Sequence, residues 1–260
     1  MALLEVNLLC KSFGGLAAVK DITISVPEHK VVSLIGPNGA GKTTVFNLLS
    51  GFYEKDSGDI VLDGIKLENI PTHMYIVQGM SRTFQNLRLF ANMSVLENVL
   101  IGYQSKMSCK NLDAVFCTRK KRIEEEKAIF VAREALDKIG LLEHENEICS
   151  GLPYGMQKRL EIARALVSKP KVLLLDEPAA GLNPNETSDL SQFIRGLCDE
   201  GNTVFLIEHD MHLVMNISDY VYVMDHGEML SEGPPQKVCA DDRVIEAYFG
   251  KGGVQNAVER

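Results

Sequence analysis

Short runs of hydrophobic residues, separated by polar residues and glycines, occupy the first quarter of the chain. Runs of this length that are rich in Val, Ile and Leu are typical of β-strands. Four segments predict strands: LLEVNLL (3–9), ITISV (22–26), VVSLI (31–35) and DIVLDG (59–64). A Gly-rich turn follows the third of them, and Lys42 to Ser50 then predicts a helix.

The middle of the chain, roughly residues 86 to 165, is more polar and predicts helices. Residues 118–140 (TRKKRIEEEKAIFVAREALDKIG) are rich in charge, with Glu–Lys neighbours between the apolar positions. Those apolar positions recur at helical spacing and are Ile123, Ile129, Phe130, Ala132 and Leu136. We expect an amphipathic helix whose charged face is solvated. A further helix is predicted from Arg159, after a turn at residues 152–157.

Strand-like and helical segments alternate in the last third. The strand-like runs are KVLLLD (171–176), TVFLIE (203–208) and YVYVMD (220–225). This is the βαβ pattern of a mainly parallel sheet covered by helices. No repeat or long linker interrupts the chain, so we expect one α/β domain over residues 1–260. Its core is predicted at about 1–85 and 165–250, and a helical insert at about 86–164.

Composition and charge narrow the class of protein. The 260 residues are 45% hydrophobic and 24% charged, as in ordinary globular proteins. A formal net charge of −8 argues against nucleic acid as a partner. The start of the chain predicts no signal peptide, and the longest apolar runs, such as VLLL (172–175), are too short to span a membrane.

Cysteine spacing does not predict a metal site. None of the six cysteines forms a C-x-x-C pair, and we expect reduced thiols at Cys10, Cys109, Cys117, Cys149, Cys198 and Cys239.

The turn after the third predicted strand carries the first chemical motif. Its sequence GPNGAGKTT (36–44) has the spacing G-x-x-x-x-G-K-[ST], after a strand and at the start of a helix. Glycines let successive backbone N–H groups surround an anion, and the helix N-terminus adds its positive dipole end. Lys42 supplies a charge for the β- and γ-phosphates, and Thr43 a hydroxyl for Mg²⁺. The predicted phosphate-binding residues are Gly36, Pro37, Asn38, Gly39, Ala40, Gly41, Lys42, Thr43 and Thr44.

A second motif, VLLLDEP (172–178), ends an apolar strand with two carboxylates. Asp176 is suited to hold magnesium through water, and Glu177 to polarise an attacking water. Two solvated acids at a strand end are the alternative. The combination with the upstream loop favours nucleotide hydrolysis, because that reaction needs both halves.

These motifs in this order resemble the ATP-binding cassette ATPases over nearly the whole chain. That resemblance implies a P-loop cassette fold, with a RecA-like core, an antiparallel β subdomain and an inserted helical subdomain. It also implies ATP and Mg²⁺ as cofactors. The family's Leu-Ser-Gly-Gly-Gln signature, which completes the partner subunit's ATP site, corresponds to Leu152, Pro153, Tyr154, Gly155 and Met156, followed by Gln157.

Other family elements follow in order. Gln85, in RTFQN, matches the Q-loop glutamine that couples magnesium to the membrane subunits, and His209, in LIEHD, matches the switch histidine at the γ-phosphate. AAGLN (179–183) matches the D-loop, with Asn183 where aspartate is usual. Phe13 matches the aromatic residue that stacks on adenine; packing in the core is the alternative. The resemblance therefore implies Glu177, His209, Lys42 and Gln85 in catalysis, and Thr43, Gln85 and Asp176 at the metal.

Pro153 stands where the family has a serine that donates to the γ-phosphate. Proline offers neither hydroxyl nor N–H, and one hydrogen bond to a charged group is worth about 1.5–3 kcal/mol. The amides of Tyr154 and Gly155 and the helix dipole remain, so we expect a weakened site. Since the signature acts on the partner's nucleotide, we expect an asymmetric pair, with hydrolysis strongest on this chain's own Walker residues.

A narrower resemblance is to the larger ATPase of the branched-chain amino acid importers. It rests on FGGLAAV (13–19), SRTFQNLRLFANMSVLENVLIG (81–102), DEPAAGLNP, LIEHDMHLVM (206–215), VIEAYFG (244–250) and the long stretch between Tyr103 and Glu147. It implies a second ATPase subunit in a heterodimer, two membrane permeases, a solute-binding protein outside the cytoplasm, and a peripheral location on the cytoplasmic face of the inner membrane. We expect the permeases to dock around Gln85 to Glu97, with core packing as the alternative for Leu87, Leu89 and Phe90.

Three other functions remain open at this point. A urea importer ATPase of the same branch would carry similar motifs. A lipopolysaccharide-export ATPase has similar length and a similar tail, although RTFQN and the polar residues 103–147 favour import. A soluble cassette protein acting on ribosomes or DNA usually has two cassettes or a long coiled coil, and this chain has one cassette and no sustained heptads.

Overall fold

A computed structural model describes residues 2–107 and 119–249 of the chain. Cys109, Cys117, part of the stretch between Tyr103 and Glu147, and Gly250 at the end of VIEAYFG lie outside the described residues. The ten strands of the described part are β1 (Ala2–Phe13), β2 (Leu16–Pro27), β3 (Val31–Ile35), β4 (Ser57–Leu62), β5 (Ile65–Lys66), β6 (Met80–Arg82), β7 (Val172–Asp176), β8 (Thr203–Ile207), β9 (Tyr220–Asp225) and β10 (Glu228–Gly233). Its α-helices are α1 (Lys42–Leu49), α2 (Thr72–Gln78), α3 (Val95–Tyr103), α4 (Arg119–Lys138), α5 (Tyr154–Leu166), α6 (Pro184–Asp199), α7 (Met211–Ile217), α8 (Pro235–Cys239) and α9 (Asp242–Phe249).

The strands form two sheets. An antiparallel sheet has the order β2-β1-β4-β5, and its two long strands extend beyond the predicted segments at both ends. The second sheet has the order β10-β9-β3-β8-β7-β6. Its strands run parallel from β9 to β6, and β10 closes one edge as an antiparallel hairpin partner of β9.

The parallel strands are buried on both faces, as their nearly continuous apolar sequences require. Every residue of β3, β7 and β8 is buried. Helix α1 packs on one face of this sheet through Phe46, whose ring lies 5.2 Å from that of Phe205. Helices α6 and α7 cover the other face. The α/β fold expected from the sequence is confirmed.

Helices α3, α4 and α5 share a separate hydrophobic cluster away from the sheets. It includes Val99 from α3, Leu136 from α4 and Leu160 from α5, each fully buried. A capping box of Ser94 and Glu97 begins α3, because each side chain accepts the other's backbone N–H. These helices lie within the region predicted as the helical insert; its exact limits, and those of the core, stay predictions.

Two details of this helical region differ from expectation. Helix α5 begins at Tyr154 and not at the predicted Arg159. Pro153 has an extended conformation, with ψ 147°, and stands directly before the first helical residue, a position that proline tolerates. On α4, Ile123 and Phe130 are exposed, while Ala128 and Val131 join Ala132 and Leu136 in the core. The buried face follows positions 128, 131, 132 and 136, and residues 123 and 130 lie on the opposite face of the helix.

None of the helices in the described part of the chain has the length and apolar character needed to cross a membrane.

Gly102 on α3 allows α3 and α5 to pack closely, because a Cβ at this position would overlap the carbonyl oxygen of Arg164. Gly102→Ala should therefore lower the free energy of unfolding by about 1–3 kcal/mol. Gly196 on α6 is the matched control, since a Cβ there would meet nothing within 4 Å. Gly196→Ala should stabilise the protein by about 0.5–1 kcal/mol through helix propensity. Urea denaturation of both variants tests this, and equal effects would show that α3 and α5 are not in close contact.

Candidate functional site

The Gly-rich turn after β3 is held tightly between two strands of different sheets. A Cβ at Gly36 would overlap the Met224 carbonyl oxygen on β9, and one at Gly41 would overlap that of Ala18 on β2. Gly41 also has φ +102°, a left-handed conformation that favours glycine. Helix α1 begins directly after it at Lys42, so the predicted turn has the strand–loop–helix geometry of an anion-binding site.

Lys42 is almost fully buried beneath this turn, with 6% of its surface exposed. Its Nζ donates to the carbonyl oxygens of Gly36 at 2.7 Å and Pro37 at 3.0 Å. Burial lowers the pKa of the lysine ammonium, and the negative charges of Glu177 and Asp176 oppose that effect. The Lys42 ammonium is therefore held against the Gly-rich loop by the carbonyl oxygens of Gly36 and Pro37.

The Gly-rich loop lines a cavity of about 770 Å³, which is within the usual range for small-molecule sites. Residues from three predicted motifs line it, among them Asn38, Thr43, Thr44, Gln85 and Glu177. A Cβ at Gly39 would meet nothing within 4 Å, so the backbone of the loop faces open space there. The cavity has room for phosphates against the loop.

Phe13 stands at the rim of the same cavity and not in the core. It is 43% exposed, and its ring meets that of Tyr53 edge-on at a centroid distance of 5.2 Å. The Nζ of Lys11 lies 5.6 Å from its centroid. This exposure leaves the ring available to stack on a flat ligand, and the core alternative is excluded.

The carboxyl ends of β7 and β8 bring the acidic motif to the cavity. Gln85 donates through Nε2 to Oε2 of Glu177 at 2.8 Å, and Nδ1 of His209 lies 3.9 Å from the same oxygen. Glu177 has φ +47°, an uncommon conformation for a residue other than glycine and one that is enriched at functional sites. The structure thus places two of the predicted catalytic side chains, Gln85 and His209, around the carboxylate of a third, Glu177.

Asp176 lies deeper than Glu177, with 2% of its surface exposed. Burial raises the pKa of its carboxyl, and its hydrogen bond from Arg82, 2.6 Å long, opposes that rise. The carboxylate is thus kept at the strand end by a cationic partner.

The signature residues lie elsewhere, at the N-terminus of α5 beside the start of α6. The hydroxyl of Tyr154 donates to the Ala180 carbonyl oxygen at 3.3 Å, and a Cβ at Gly155 would be 2.9 Å from the Glu186 carboxylate. Pro153 and Met156 line a different cavity of about 280 Å³. Leu152 is buried among α3, α4 and α5, so its side chain contributes packing. These residues do not reach this chain's own nucleotide cavity, and their contact with a partner's nucleotide stays a prediction.

Pro153 occupies the N-cap of α5, one position before the first helical residue. No side chain in the described part of the chain caps this helix, and the first backbone bond joins the Gln157 N–H to the Pro153 carbonyl oxygen at 3.1 Å. The N–H groups of Tyr154, Gly155 and Met156 precede that bond and make no intrahelical hydrogen bond. Proline therefore removes a side-chain cap while leaving three amides at the helix end.

Three buried charged residues of the site were not singled out from the sequence. Arg82 pairs with Asp176, Lys158 donates to the Gln85 carbonyl oxygen at 3.2 Å, and Glu208 accepts the N–H groups of Ala179 at 2.9 Å and His209 at 3.1 Å. Arg82 lies within RTFQN, three residues before Gln85, Lys158 follows Gln157, and Glu208 precedes His209. Their charge at otherwise buried positions is the signal that could have identified them.

Comparison with known families supports the resemblance in the motifs. The model of the ABC transporter family matches residues 19–180, and that of the branched-chain amino acid ATP-binding cassette transporters matches residues 228–254. The high-affinity branched-chain amino acid transport ATP-binding protein BraF of Pseudomonas aeruginosa is 47% identical over 250 residues, covering 96% of this chain and 98% of that protein. LivG of Escherichia coli K12, of the same description, is 46% identical with the same coverage.

A solved structure agrees with the fold. A nucleotide-free ATP-binding cassette from an ABC transporter superposes with a TM-score of 0.84 at 32% identity, covering 96% of this chain and 100% of that one.

Glu208 gives the site a pH-dependent stability that can be measured. Burial raises the pKa of its carboxyl, so it is neutral in both folded and unfolded chains at low pH and ionises first in the unfolded chain as pH rises. Its contribution is therefore full below the unfolded pKa near 4.5 and is lost as pH rises through the raised value. At a pH above the raised pKa, the free energy of unfolding of Glu208→Gln should therefore have gained on that of the wild type. The gain is about 1.4 kcal/mol for each unit by which folding raises the pKa.

Urea denaturation of both proteins between pH 4.5 and 8 tests this. The test is whether the difference in free energy of unfolding between the two proteins changes with pH. The hydrogen bond from the His209 N–H, which the variant loses, shifts that difference by the same amount at every pH. A difference that stays flat across this range would contradict the assignment.

Proposed function

The chain belongs to the ATP-binding subunits of branched-chain amino acid ABC transporters, and we propose that it hydrolyses ATP to power the uptake of leucine, isoleucine and valine. The observation that carries the hydrolytic role is the contact of Gln85 and His209 with one carboxylate, that of Glu177, at the wall of the cavity beneath the Gly-rich loop.

Each side chain has a role in this proposal that its position supports. Lys42 and the loop amides bind the phosphates and balance their charge. Phe13 stacks on the adenine. Glu177 accepts a proton from the attacking water, which it orients together with Gln85, and His209 contacts the γ-phosphate after a small movement of the loop that follows β8.

Magnesium suits the donors present, because hydroxyl, carboxylate and amide oxygens are its preferred ligands. Thr43 and Gln85 line the cavity and Asp176 is buried at the end of β7, so we propose these three as its ligands, with Asp176 acting through water. When bound, the ion would supply positive charge to the phosphates. Asp176, whose carboxylate accepts a hydrogen bond from Arg82, would help to hold the ion.

Membership of this family implies permease partners. We propose a heterodimer with a second ATPase, two permeases and an extracytoplasmic binding protein, on the cytoplasmic face of the membrane. Tyr154 joins the signature to the Ala180 carbonyl, so the residues proposed to face the partner's nucleotide are connected in this chain to the loop after β7. ATP binding would bring the two subunits together, and hydrolysis would release them.

The permease surface is proposed around Gln85 to Glu97. Leu89 packs against the cluster of α3, α4 and α5, whereas Phe90 is 49% exposed. Arg88 is exposed, with its guanidinium 4.7 Å from the Phe84 ring centroid. Phe90 and Arg88 are therefore the side chains offered to a partner.

The first prediction concerns the solute. In proteoliposomes containing the whole complex and its binding protein, leucine, isoleucine and valine should each stimulate ATP hydrolysis several-fold, and urea should not. Stimulation by urea alone would replace the proposed substrate class, and co-purification without any binding protein would favour export or a function outside transport.

The second prediction concerns asymmetry between the two ATP sites. Glu177→Gln in this chain should lower the ATPase of the complex by about 100-fold or more, because it removes the general base of the stronger site. Pro153→Ser should raise it modestly, since the new hydroxyl serves the weaker site and caps α5. An ATPase nearly unchanged by Glu177→Gln would end the asymmetric model.

The third prediction concerns docking. Arg88→Glu should reduce permease co-purification and transport roughly tenfold or more by placing a like charge at the interface, while the isolated chain keeps its nucleotide binding. Arg122→Glu, an exposed reversal on α4 outside the proposed surface, is the control. Equal transport and assembly by the two variants would place the interface elsewhere.

A further inference from the structure

The guanidinium of Arg82 is the most heavily engaged cation near the site. Arg82 is the last residue of β6, three residues before Gln85, and its side chain is 6% exposed. Nη2 donates to Oδ2 of Asp176 at 2.6 Å, and Nη1 donates at 2.8 Å to both Asn47 Oδ1 and Ser50 Oγ.

Aromatic rings enclose the same guanidinium. Its Cζ lies 5.6 Å from the ring centroid of Phe46, 5.9 Å from that of Phe52 and 5.2 Å from that of Phe84. Rings at these distances attract a cation and keep water away from it. Its Nε is buried and has no hydrogen-bond partner among the described residues, a cost that the other contacts of the guanidinium outweigh.

The two anchors, Asn47 on α1 and Ser50 at its C-cap, lie on one side of that helix. Thr43, Asn47 and Ser50 are spaced i, i+4 and i+7, which places them along one side. Arg82 therefore connects the carboxylate of Asp176 to the helix face that begins with Thr43. These two residues are the proposed magnesium ligands from the Gly-rich loop and from β7.

We propose that Arg82 is a positioning residue for the magnesium site, which orients Asp176 relative to Thr43 before any nucleotide arrives. This inference rests on the proposed magnesium ligands. Among the described residues, Arg82 is the side chain that donates to Asp176, and it donates to Oδ2, so Oδ1 takes no part in this hydrogen bond. Only a planar fork spans Asp176 and α1 at once, so lysine cannot replace it.

The test separates nucleotide binding from the gain in affinity that magnesium adds. A fluorescent, non-hydrolysable ATP analogue is titrated into the purified full-length chain, once in EDTA and once in saturating Mg²⁺, and the ratio of the two Kd values gives the magnesium-linked gain. Arg82→Lys should keep the Kd in EDTA within about twofold. Its magnesium-linked gain should fall by about 10–100-fold, the usual cost of losing a partner that orients a metal ligand.

Two further variants keep the inference testable. Asn47→Ala removes one anchor on α1 and keeps the ion pair, so it should lower the magnesium-linked gain in the same direction by a smaller factor. Arg164→Lys is the matched control: this partly buried arginine pairs with Glu161 and donates to the Arg88 carbonyl, away from the cavity. It should lower the melting temperature and leave the magnesium-linked gain unchanged.

If Arg82→Lys lowers only the melting temperature, as Arg164→Lys is expected to do, the role of Arg82 is structural and the inference is overturned. A wild-type chain whose affinity for the analogue is unaffected by Mg²⁺ would overturn the magnesium site itself, and the role of Arg82 with it.

Discussion

The parallel register of β3, β8 and β7 is the constraint on which the site depends. Val31 pairs with Val204, and Asp176 with Ile207, so the three strands end at one edge of the sheet. Carboxyl ends of adjacent parallel strands form the usual ligand crevice of α/β folds. This edge receives the Gly-rich loop from β3, the acids from β7 and the switch histidine from β8. A lysine and two carboxylates therefore meet in a largely buried space, where each requires a partner.

Buried charges also connect the loops around that edge. Glu208 links the loop after β7 to the one after β8, and Lys158 links helix α5 to the Gln85 carbonyl. A buried charge without a partner costs free energy. When one partner of such a contact moves, the other therefore tends to move with it, and the contact is kept. A displacement at Glu177 would thus be felt at Ala179 and along α5, the elements proposed to face a partner subunit. These contacts connect the ATP site physically to the proposed association and release of the two subunits.

Much of this could be read from the sequence, and the exceptions have physical causes. Motifs with fixed spacing, such as residues 36–44, encode local backbone geometry and were placed well. The sequence predicts the start of α5 too late, because Pro153 and the glycine after Tyr154 are residues typical of a turn. Ile123 and Phe130 are exposed because another face of α4 meets α3 and α5. The spacing of apolar residues alone does not determine which face is buried. The roles of Arg82 and Glu208 arise from contacts across 94 and 29 residues of chain.

The central claim is that nucleotide binds at this edge of the sheet, with its base against Phe13. Photo-crosslinking with 8-azido-ATP, followed by tryptic digestion and mass spectrometry, tests it most directly. The label should appear on residues 12–20 (SFGGLAAVK), compete with ATP and disappear in Lys42→Ala. Labelling of peptides remote from the Gly-rich loop, or labelling that Lys42→Ala leaves unchanged, would contradict the proposed site.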